Sequence, residues 1–406
     1  MRGNMEDQKQ NTTLGDESFL PQLSPLLFLA SIFLINFTGR IIFAPLMPTI
    51  EKDVSITHSQ AGGLFFVITV GYFLSVLGSG FISSKLTHRK TIILSATALG
   101  IALVQVSLCT GLWSTTIALF LVGISAGFYL PSGISTLTSL IHSKHWGKAI
   151  AIHELAPNLG YVLAPFVSEV FLSLFSWRGV SALLGIISMA VGAGFARFGR
   201  GGNFPGEVPG FGSFRTLFGQ PAFWIMTILF GLGIAGTLGI FTMLPLYLVS
   251  ERGIERSWAN TLIALSRISG IAMSFLAGWA TDRLGPKKTL VCVFFLTGLA
   301  TVLLGVFPYP WVVILIFVQP MLAVCFFPAG FAAISFIGSA KIRSVAVSLA
   351  VPLGFVFGGG AIPIGIGLMG DTGAFGLGVS MAGGFILLGT LFSHYLKLSP
   401  SYSQSP

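Results

Sequence analysis

Two arginines stand where arginine is costly. Arg40 interrupts the apolar run Leu34–Pro48 and Arg267 interrupts the run Ala259–Met273. A guanidinium at the centre of a bilayer costs at least about 2.5–3.5 kcal/mol, so it persists only beside a wet cavity or a partner. Its planar donors fit two oxygens at once, and the chemistry it offers is capture of a carboxylate, phosphate or sulfonate. The alternatives are ordinary ones: Arg40 could snorkel to the nearer interface, and Arg267 could pair with Glu154 or with backbone carbonyls. Two carboxylates share these apolar stretches. Glu169 lies near an end and reads as a solvated rim residue. Glu154 adjoins His153, and a buried carboxylate beside an imidazole can carry a coupling proton; the alternatives are a salt bridge at an inner gate and an acid simply wetted from the cytoplasm. Asn36, Tyr72, Tyr129, Asn158 and Gln319 lie beside helix breaks and are further substrate contacts, each equally able to bond a neighbouring helix. Pro131, Pro157, Pro328 and Pro352 are expected to kink their helices and free carbonyls near a cavity. No metal cluster, nucleotide loop or nucleophile–base set occurs, so no cofactor, metal or catalytic residue is expected.

The elements that hold these groups follow from composition. Of 406 residues, 53% are apolar or aromatic and only 9% charged, against roughly a quarter charged in soluble proteins; the mean hydropathy is +0.88. That excludes a water-soluble enzyme, a disordered chain and a nucleic-acid module. The 37 Phe and 51 Gly are the bulky lipid-facing and small helix-contact residues of membrane bundles. Cys109, Cys292 and Cys325 all fall in apolar runs, away from any disulfide or zinc pattern. The first apolar run follows a polar lead and lacks a cleavage site, which reads as a retained span. A bilayer core needs roughly 20 apolar residues per helix, and twelve runs qualify: 24–47, 59–82, 91–109, 115–141, 149–174, 180–196, 222–249, 258–281, 289–307, 311–337, 344–369 and 375–396.

Basic charge orients them. Apart from Arg40 and Arg267 within spans, only Lys52, Arg178, Arg252 and Arg256 fall in the loops opposite the termini. The others, among them Lys85, Arg89, Lys90, Lys144, Lys148, Arg283, Lys287 and Lys288, fall on the side of the termini. Both termini are therefore expected in the cytoplasm. The Gly/Pro-rich connection 197–221 divides the helices six and six. Gly80 and Gly278, and Phe43 and Phe241, are each separated by 198 residues; Pro131-Ser132-Gly133 matches Pro328-Ala329-Gly330 at 197 and Pro157 matches Pro352 at 195. The chain is read as a duplicated six-helix unit, the construction by which many carriers alternate access. At this register Arg40 pairs with Leu238 and Arg267 with Thr69, so neither arginine belongs to the repeated unit.

Between the second and third helices of the second repeat stands Gly278-Trp279-Ala280-Thr281-Asp282-Arg283-Leu284-Gly285-Pro286-Lys287-Lys288. It closely resembles the G-x-x-x-D-R-x-G-x-R/K-R/K signature of the major facilitator superfamily. The first repeat has a degraded version, Gly80, Ser84, Lys85, Thr87, Arg89 and Lys90, with Ser84 in place of the acid and Thr87 in place of the second glycine. The resemblance spans essentially the whole chain. It implies an all-α membrane protein of twelve transmembrane helices in two pseudo-symmetric six-helix bundles, 24–196 and 222–396, with tails 1–23 and 397–406. It also implies a conformational lock built from Gly80, Ser84, Arg89, Gly278, Asp282, Arg283 and Gly285. In relatives the acid docks on a helix start of the other half in the outward-facing state; here Asp282 would meet the fifth helix near Ala149, while Ser84 cannot supply the charge on the other side.

More narrowly, Arg40-Ile41-Ile42-Phe43-Ala44-Pro45-Leu46-Met47-Pro48 and Pro157-Asn158-Leu159-Gly160 resemble organophosphate:phosphate antiporters and neighbouring organic anion symporters. In that group an arginine at the Arg40 position binds the substrate's anionic group. A second arginine of the antiporters, on the seventh helix, is replaced here by Thr237, which argues for a carboxylate-type anion over a phosphate ester. The expected function is secondary active transport of a small organic anion, coupled to protons or counter-anion exchange, by a monomer in the cell membrane. The alternative in the same superfamily is a proton-coupled multidrug exporter, for which Gly160-x-x-x-Ala164-Pro165 partly matches the signature; Ala164 and the cationic Arg40 depart from it. A third class, a membrane sensor or assembly subunit, is disfavoured by the lack of a sizeable soluble segment.

Overall fold

The computed structural model of the protein describes residues 19–207, 217–336 and 340–396; residues 1–18 of the expected N-terminal tail, the C-terminal tail and the middle of the 197–221 linker lie outside the described residues, while 20–23, expected in the tail, belong to the first helix. Eleven helices are long and apolar enough to cross a membrane: α1 (Leu20–Val54), α2 (His58–Leu86), α3 (His88–Ser107), α4 (Leu112–Leu140), α5 (Ser143–Leu172), α6 (Trp177–Phe198), α7 (Pro221–Ser250), α9 (Pro286–Val306), α10 (Trp311–Ile334), α11 (Ala346–Asp371) and α12 (Phe375–Tyr395). The twelfth, α8, is divided into Arg256–Ser266 and Gly270–Leu284. No proline marks this division. The chain tightens instead, with Arg267 N–H, Ile268 N–H and Gly270 N–H each bonding a carbonyl three residues back (3.3, 3.2 and 3.1 Å), which is the overwound 3₁₀ pattern.

Helix starts follow local chemistry. Thr57 and Gln60 form a reciprocal capping box at the head of α2 (3.0 and 3.3 Å), satisfying two orphan backbone donors. Glu255 accepts from Ser257 N–H and Trp258 N–H at the head of α8, both at 3.0 Å, and these bonds hold its carboxyl below the usual carboxylate range. Breaks follow proline where neighbours can absorb them. Pro131 and Pro328 remove the bonds to residues 127 and 324; α4 breaks after Gly127 and α10 after Ala323, and the second segments restart at Tyr129 and Phe326, in register with the sequence repeat. The expected kinks at the other two prolines do not break the chain. The helix from Trp146 to Leu172 runs continuously through Pro157, where the Asn158 amide adds a bond to Glu154 O at 3.2 Å, and Pro352 lies inside the continuous segment Ala340–Val356.

Helices α1–α6 and α7–α12 form two six-helix bundles that meet along α1 against α7, α2 against α11 and α5 against α8. At the seam of the second bundle, π-helical turns in α7 (Ala235–Gly239) and α11 (Phe357–Ala361) face one another. A Cβ on Gly358 would lie 2.2 Å from Gly231 O and 2.5 Å from Ala235 N, so the glycine run serves backbone-to-backbone packing, as its composition indicated. Gly358→Ala is expected to lower folded stability by about 1–3 kcal/mol, the cost of overpacking, read as a fall in melting temperature in detergent. Gly365→Ala, where an added Cβ meets nothing within 4 Å, is the matched control.

The face carrying the basic loops and the face opposite it differ in closure. At the opposite face, Arg256 Nη2 lies 3.2 Å from Glu169 Oε2, Arg256 Nη1 donates to Thr49 Oγ1 (3.2 Å), and the Asn260 amide donates to Glu169 Oε1 (2.5 Å) and Pro45 O (3.2 Å). Beside them Asp371, at the end of α11, caps α2 by accepting from His58 N–H (2.7 Å) and Ser59 N–H (3.2 Å). All of these bonds cross between bundles. Glu169 is thus not the solvated rim residue its position indicated: its side chain is 16% exposed and forms the centre of a latch, because α8 brings it two donors from the other bundle. A cleft of about 460 Å³ lined by Pro48, Thr49, Lys52, Asp53, Val249 and Arg256 opens outside this latch.

Among the described residues, the basic face lacks such a seal over the lock residues. Asp282 is exposed and, among the described residues, has no hydrogen bond or ion pair; a Cβ on Gly278 would meet nothing within 4 Å. Gly278 therefore makes no close helix contact in this state. Gly285 turns the chain at φ 83°, and Thr87, its repeat partner, does so at φ 108°, a left-handed conformation costly for a branched residue. The linker steadies this loop: Gly206 N–H bonds Ser83 O, His88 N–H bonds Phe204 O and Arg89 N–H bonds Gly202 O (3.0, 3.1 and 2.7 Å). The Arg89 guanidinium donates to Phe195 O, Ala196 O and Gly199 O at the C-terminus of α6, where cations are favoured. Ser84 only bonds Phe81 O within its own helix (2.9 Å), and Arg283 packs over Trp279.

Candidate anion-binding site

Arg40 and Arg267 are both buried, each 8% exposed, and among the described residues neither is paired with a carboxylate. The Nε of each is buried without a hydrogen-bond partner. In place of counter-charges they have rings. The Arg40 guanidinium carbon lies 4.2 Å from the Tyr72 ring centroid and 5.2 Å from that of Phe37; that of Arg267 lies 5.0 Å from Tyr161 and 4.9 Å from Phe241. Phe37 and Tyr161 meet edge-to-face at 5.1 Å, and Tyr161 and Phe241 at 4.8 Å. One aromatic cluster from α1, α2, α5 and α7 therefore holds two guanidinium groups from opposite bundles. Cation–π contact worth about 2 kcal/mol when desolvated offsets part of the burial cost. It leaves the in-plane N–H donors free.

Tyr161 sits between the two cations and is only half-buried; its hydroxyl has no hydrogen bond among the described residues. Sequence reasoning missed it. The available signal was its position one helical turn after Asn158, next to Gly160, whose added Cβ would collide with Phe37 at 2.7 Å, which brings α5 against α1. Leu238 and Thr69, the counterparts of Arg40 and Arg267 at a spacing of 198, also come together in the folded chain beside Gly359: a Cβ there would lie 2.7 Å from Leu238 and 3.3 Å from Thr69. One copy of the duplicated position is polar and cationic, and its mirror copy is closed by small and apolar groups.

The remaining expected contacts separate into groups. Tyr72 lies in the cluster. Asn36 donates to Ala126 O (3.1 Å) and Ser95 Oγ (3.4 Å) inside the first bundle. Gln319 donates to Gly236 O (2.8 Å) and Thr301 Oγ1 (3.2 Å) inside the second, filling a carbonyl of the α7 π-turn. Asn158 bonds within α5. Thr237 is buried and satisfied by Gly233 O (3.2 Å). Tyr129 and His153 meet away from the arginines: the Tyr129 hydroxyl lies 2.6 Å from Leu29 O and 3.1 Å from His153 Nε2. His153 Nδ1 lies 3.3 Å from Glu154 Oε1, whose side chain is 48% exposed. Glu154 pairs with His153 and not with Arg267.

Two bundles of six related helices that bury two arginines between them and are latched at one face define a membrane transporter fold. The chain belongs to the Major Facilitator Superfamily, which it matches over residues 29–273. It is 23% identical over 314 residues to the membrane sensor protein UhpC of Salmonella typhimurium, covering 70% of this chain and 69% of that one. It is 21% identical over 296 residues to a gallate transporter of Pseudomonas putida, covering 64% and 65%, and 23% identical over 274 residues to a probable sulfoacetate transporter of Cupriavidus necator, covering 62% and 63%. Among solved structures, a bacterial homologue of the human lysosomal transporter Spinster aligns with a TM-score of 0.81 at 16% identity, over 95% of this chain and 100% of that one. A D-xylose–proton symporter aligns with a TM-score of 0.76 at 14% identity, over 96% and 100%.

Proposed function

We propose that the protein is a secondary active transporter of a small organic anion of the carboxylate or sulfonate type, bound between Arg40 and Arg267 and moved by alternating access. The observation that carries this is the pair of buried guanidinium groups from opposite bundles, unpaired by any acid among the described residues and joined by the aromatic cluster of Phe37, Tyr161 and Phe241. A ligand spanning them draws the bundles together, as a central site between rocking halves requires. The gallate and sulfoacetate transporters among its relatives act, by their names, on anions of this chemistry. The distribution of basic loops supports a cytoplasmic basic face and cytoplasmic termini; on that reading the latch at Glu169 closes the outer face and the described state faces inward. Coupling is to protons or to a counter-anion, and the carrier works as a monomer in the cell membrane. Multidrug export is the poorer fit, because a lipophilic cation would meet two buried arginines that no acid pairs among the described residues.

Counterflow into proteoliposomes tests this, with labelled gallate, sulfoacetate and L-galactonate, a phosphate monoester, and a lipophilic cation as arms. Exchange of at least one carboxylate and none of the cation is expected. Cation movement without any anion exchange would overturn the proposal, and specific anion binding without flux would mark a sensor instead. Tyr161→Phe removes one hydrogen bond to a charged ligand, worth about 1.5–3 kcal/mol. It is expected to raise the half-saturating concentration about tenfold or more while leaving the melting temperature of the empty protein in place.

A further inference from the structure

The coupling ion follows from hydrogen-bond bookkeeping at a second buried cluster. His153 is fully buried, stacked on Phe33 at 4.6 Å between centroids. Tyr129 has one proton, and Leu29 O, 2.6 Å away, can only accept it. The Tyr129 oxygen then accepts from His153 Nε2, so that nitrogen carries a proton in the described geometry. His153 Nδ1 is left facing Glu154 Oε1 at 3.3 Å. Two acceptors cannot share a bond, and this contact requires one further proton, on the ring or on the carboxyl. The arrangement is a socket for a single proton, with its wet end at the half-exposed Glu154 and its dry end fixed by a backbone carbonyl.

We propose that His153, oriented by Tyr129 and fed through Glu154, is the proton-binding site that couples anion movement to the proton gradient. This rests on the anion-transport reading above. The proton passes from water at the open basic face to the Glu154 carboxylate and on to Nδ1, giving an imidazolium beside a carboxylate; the reverse step releases it. The groups around His153 are Leu29 O and Phe33 from α1, Tyr129 from α4 and Glu154 on α5. Tyr72 from α2 lies within electrostatic reach of both Glu154 and Arg40. One stripe of α1 joins the two sites: Leu29 and Phe33 hold the socket, Phe37 meets Phe33 at 6.5 Å, and Arg40 packs on Phe37 at 5.2 Å. A proton held in this socket and an anion seated on Arg40 and Arg267 carry opposite charges and attract one another. Proton and anion therefore bind cooperatively, each raising the other's affinity by the same factor. When the basic face closes, docking of the Asp282 loop near Ala149, just over one turn before Glu154, covers the proton's entry.

The test uses purified protein in liposomes loaded with a pH dye, with gallate, sulfoacetate and L-galactonate each supplied as the probe anion, and counterflow measured in parallel. Wild type is expected to move protons with the anion, and its uptake to depend on pH. His153→Gln is expected to keep exchange, slowed several-fold and insensitive to pH, while anion-driven proton movement falls at least tenfold. Tyr129→Phe, which leaves the ring nitrogens present but unoriented, should shift the pH profile without abolishing proton movement. Anion exchange in wild type with no dye response overturns the proton site and spares the transport reading. A full proton signal in His153→Gln overturns His153 as its holder. Absence of any anion exchange in wild type overturns both.

Discussion

Arg267→Met is expected to abolish anion transport and, at the same time, to raise the melting temperature of the empty protein. The two signs come from one fact: the guanidinium is buried against Tyr161 and Phe241 with no acid beside it and its Nε unbonded. A residue that held the fold together through an ion pair would cost about 3–5 kcal/mol when removed. Removing an uncompensated buried charge and filling its place with an apolar side chain of similar length relieves a cost and keeps the packing. The melting temperature should rise by a few degrees, since about 1 kcal/mol corresponds to roughly 2–4 °C at bundle size. Transport should fall by roughly 10²–10⁴, the equivalent of two charge-assisted hydrogen bonds at about 1.5–3 kcal/mol each. Arg40→Met should behave alike. Arg267→Lys keeps the charge and loses the fork, and should retain weak transport with a much higher half-saturating concentration. Thermal unfolding in detergent and counterflow in liposomes read the two effects separately. A lower melting temperature with unchanged affinity would make Arg267 a structural residue and remove it from the site.

The sequence carried the scaffold because its signals are local or periodic. Twelve apolar runs, alternating basic loops and a constant repeat offset do not depend on which way any helix faces. Arg40 and Arg267 were legible for the same reason: a cation in hydrocarbon is anomalous wherever it points. Azimuth was not legible. A membrane helix is apolar toward lipid and apolar toward its neighbours, so nothing in the run around Asn36 or Gln319 told that their amides point into their own bundles, or that Tyr161 points between the arginines. The break in α8 escaped because no proline produces it. Glu169 was misjudged because proximity to a helix end says nothing about what the other bundle places against it. Pro157 and Pro352 show the converse limit, since proline removes one bond and the surroundings decide whether a break follows.

Glu169→Ala should open the face that this state holds shut. Glu169 takes one oxygen to Arg256 and the other to Asn260, and Asn260 also reaches Pro45 O on α1. Truncation strips two cross-bundle bonds to a charged group, each worth about 1.5–3 kcal/mol in a buried setting, and leaves Arg256 beside Thr49 alone. Conformers of a carrier differ by a few kcal/mol, so a loss of this size moves the balance by about tenfold or more. The Asp371 cap on α2 limits the change, and Asp371→Asn in the same chain should add to it. The readout is labelling of Val249→Cys, which lines the cleft outside the latch, by a membrane-impermeant maleimide in a chain lacking Cys109, Cys292 and Cys325. Its rate should rise about tenfold, while a cysteine at Asp282 on the basic face should label more slowly, since under the proposed alternating access opening one face closes the other. Equal acceleration at both positions would mean loosening of the whole fold and would sink the latch. The expected reciprocity has a structural basis in α8 itself. Its first segment carries Arg256 and Asn260 and its second leads to Asp282, and the two are joined at the overwound turn of Arg267. An anion that draws Arg267 toward α1 pulls on the joint between latch and lock, which gives a bound ligand direct purchase on which face opens.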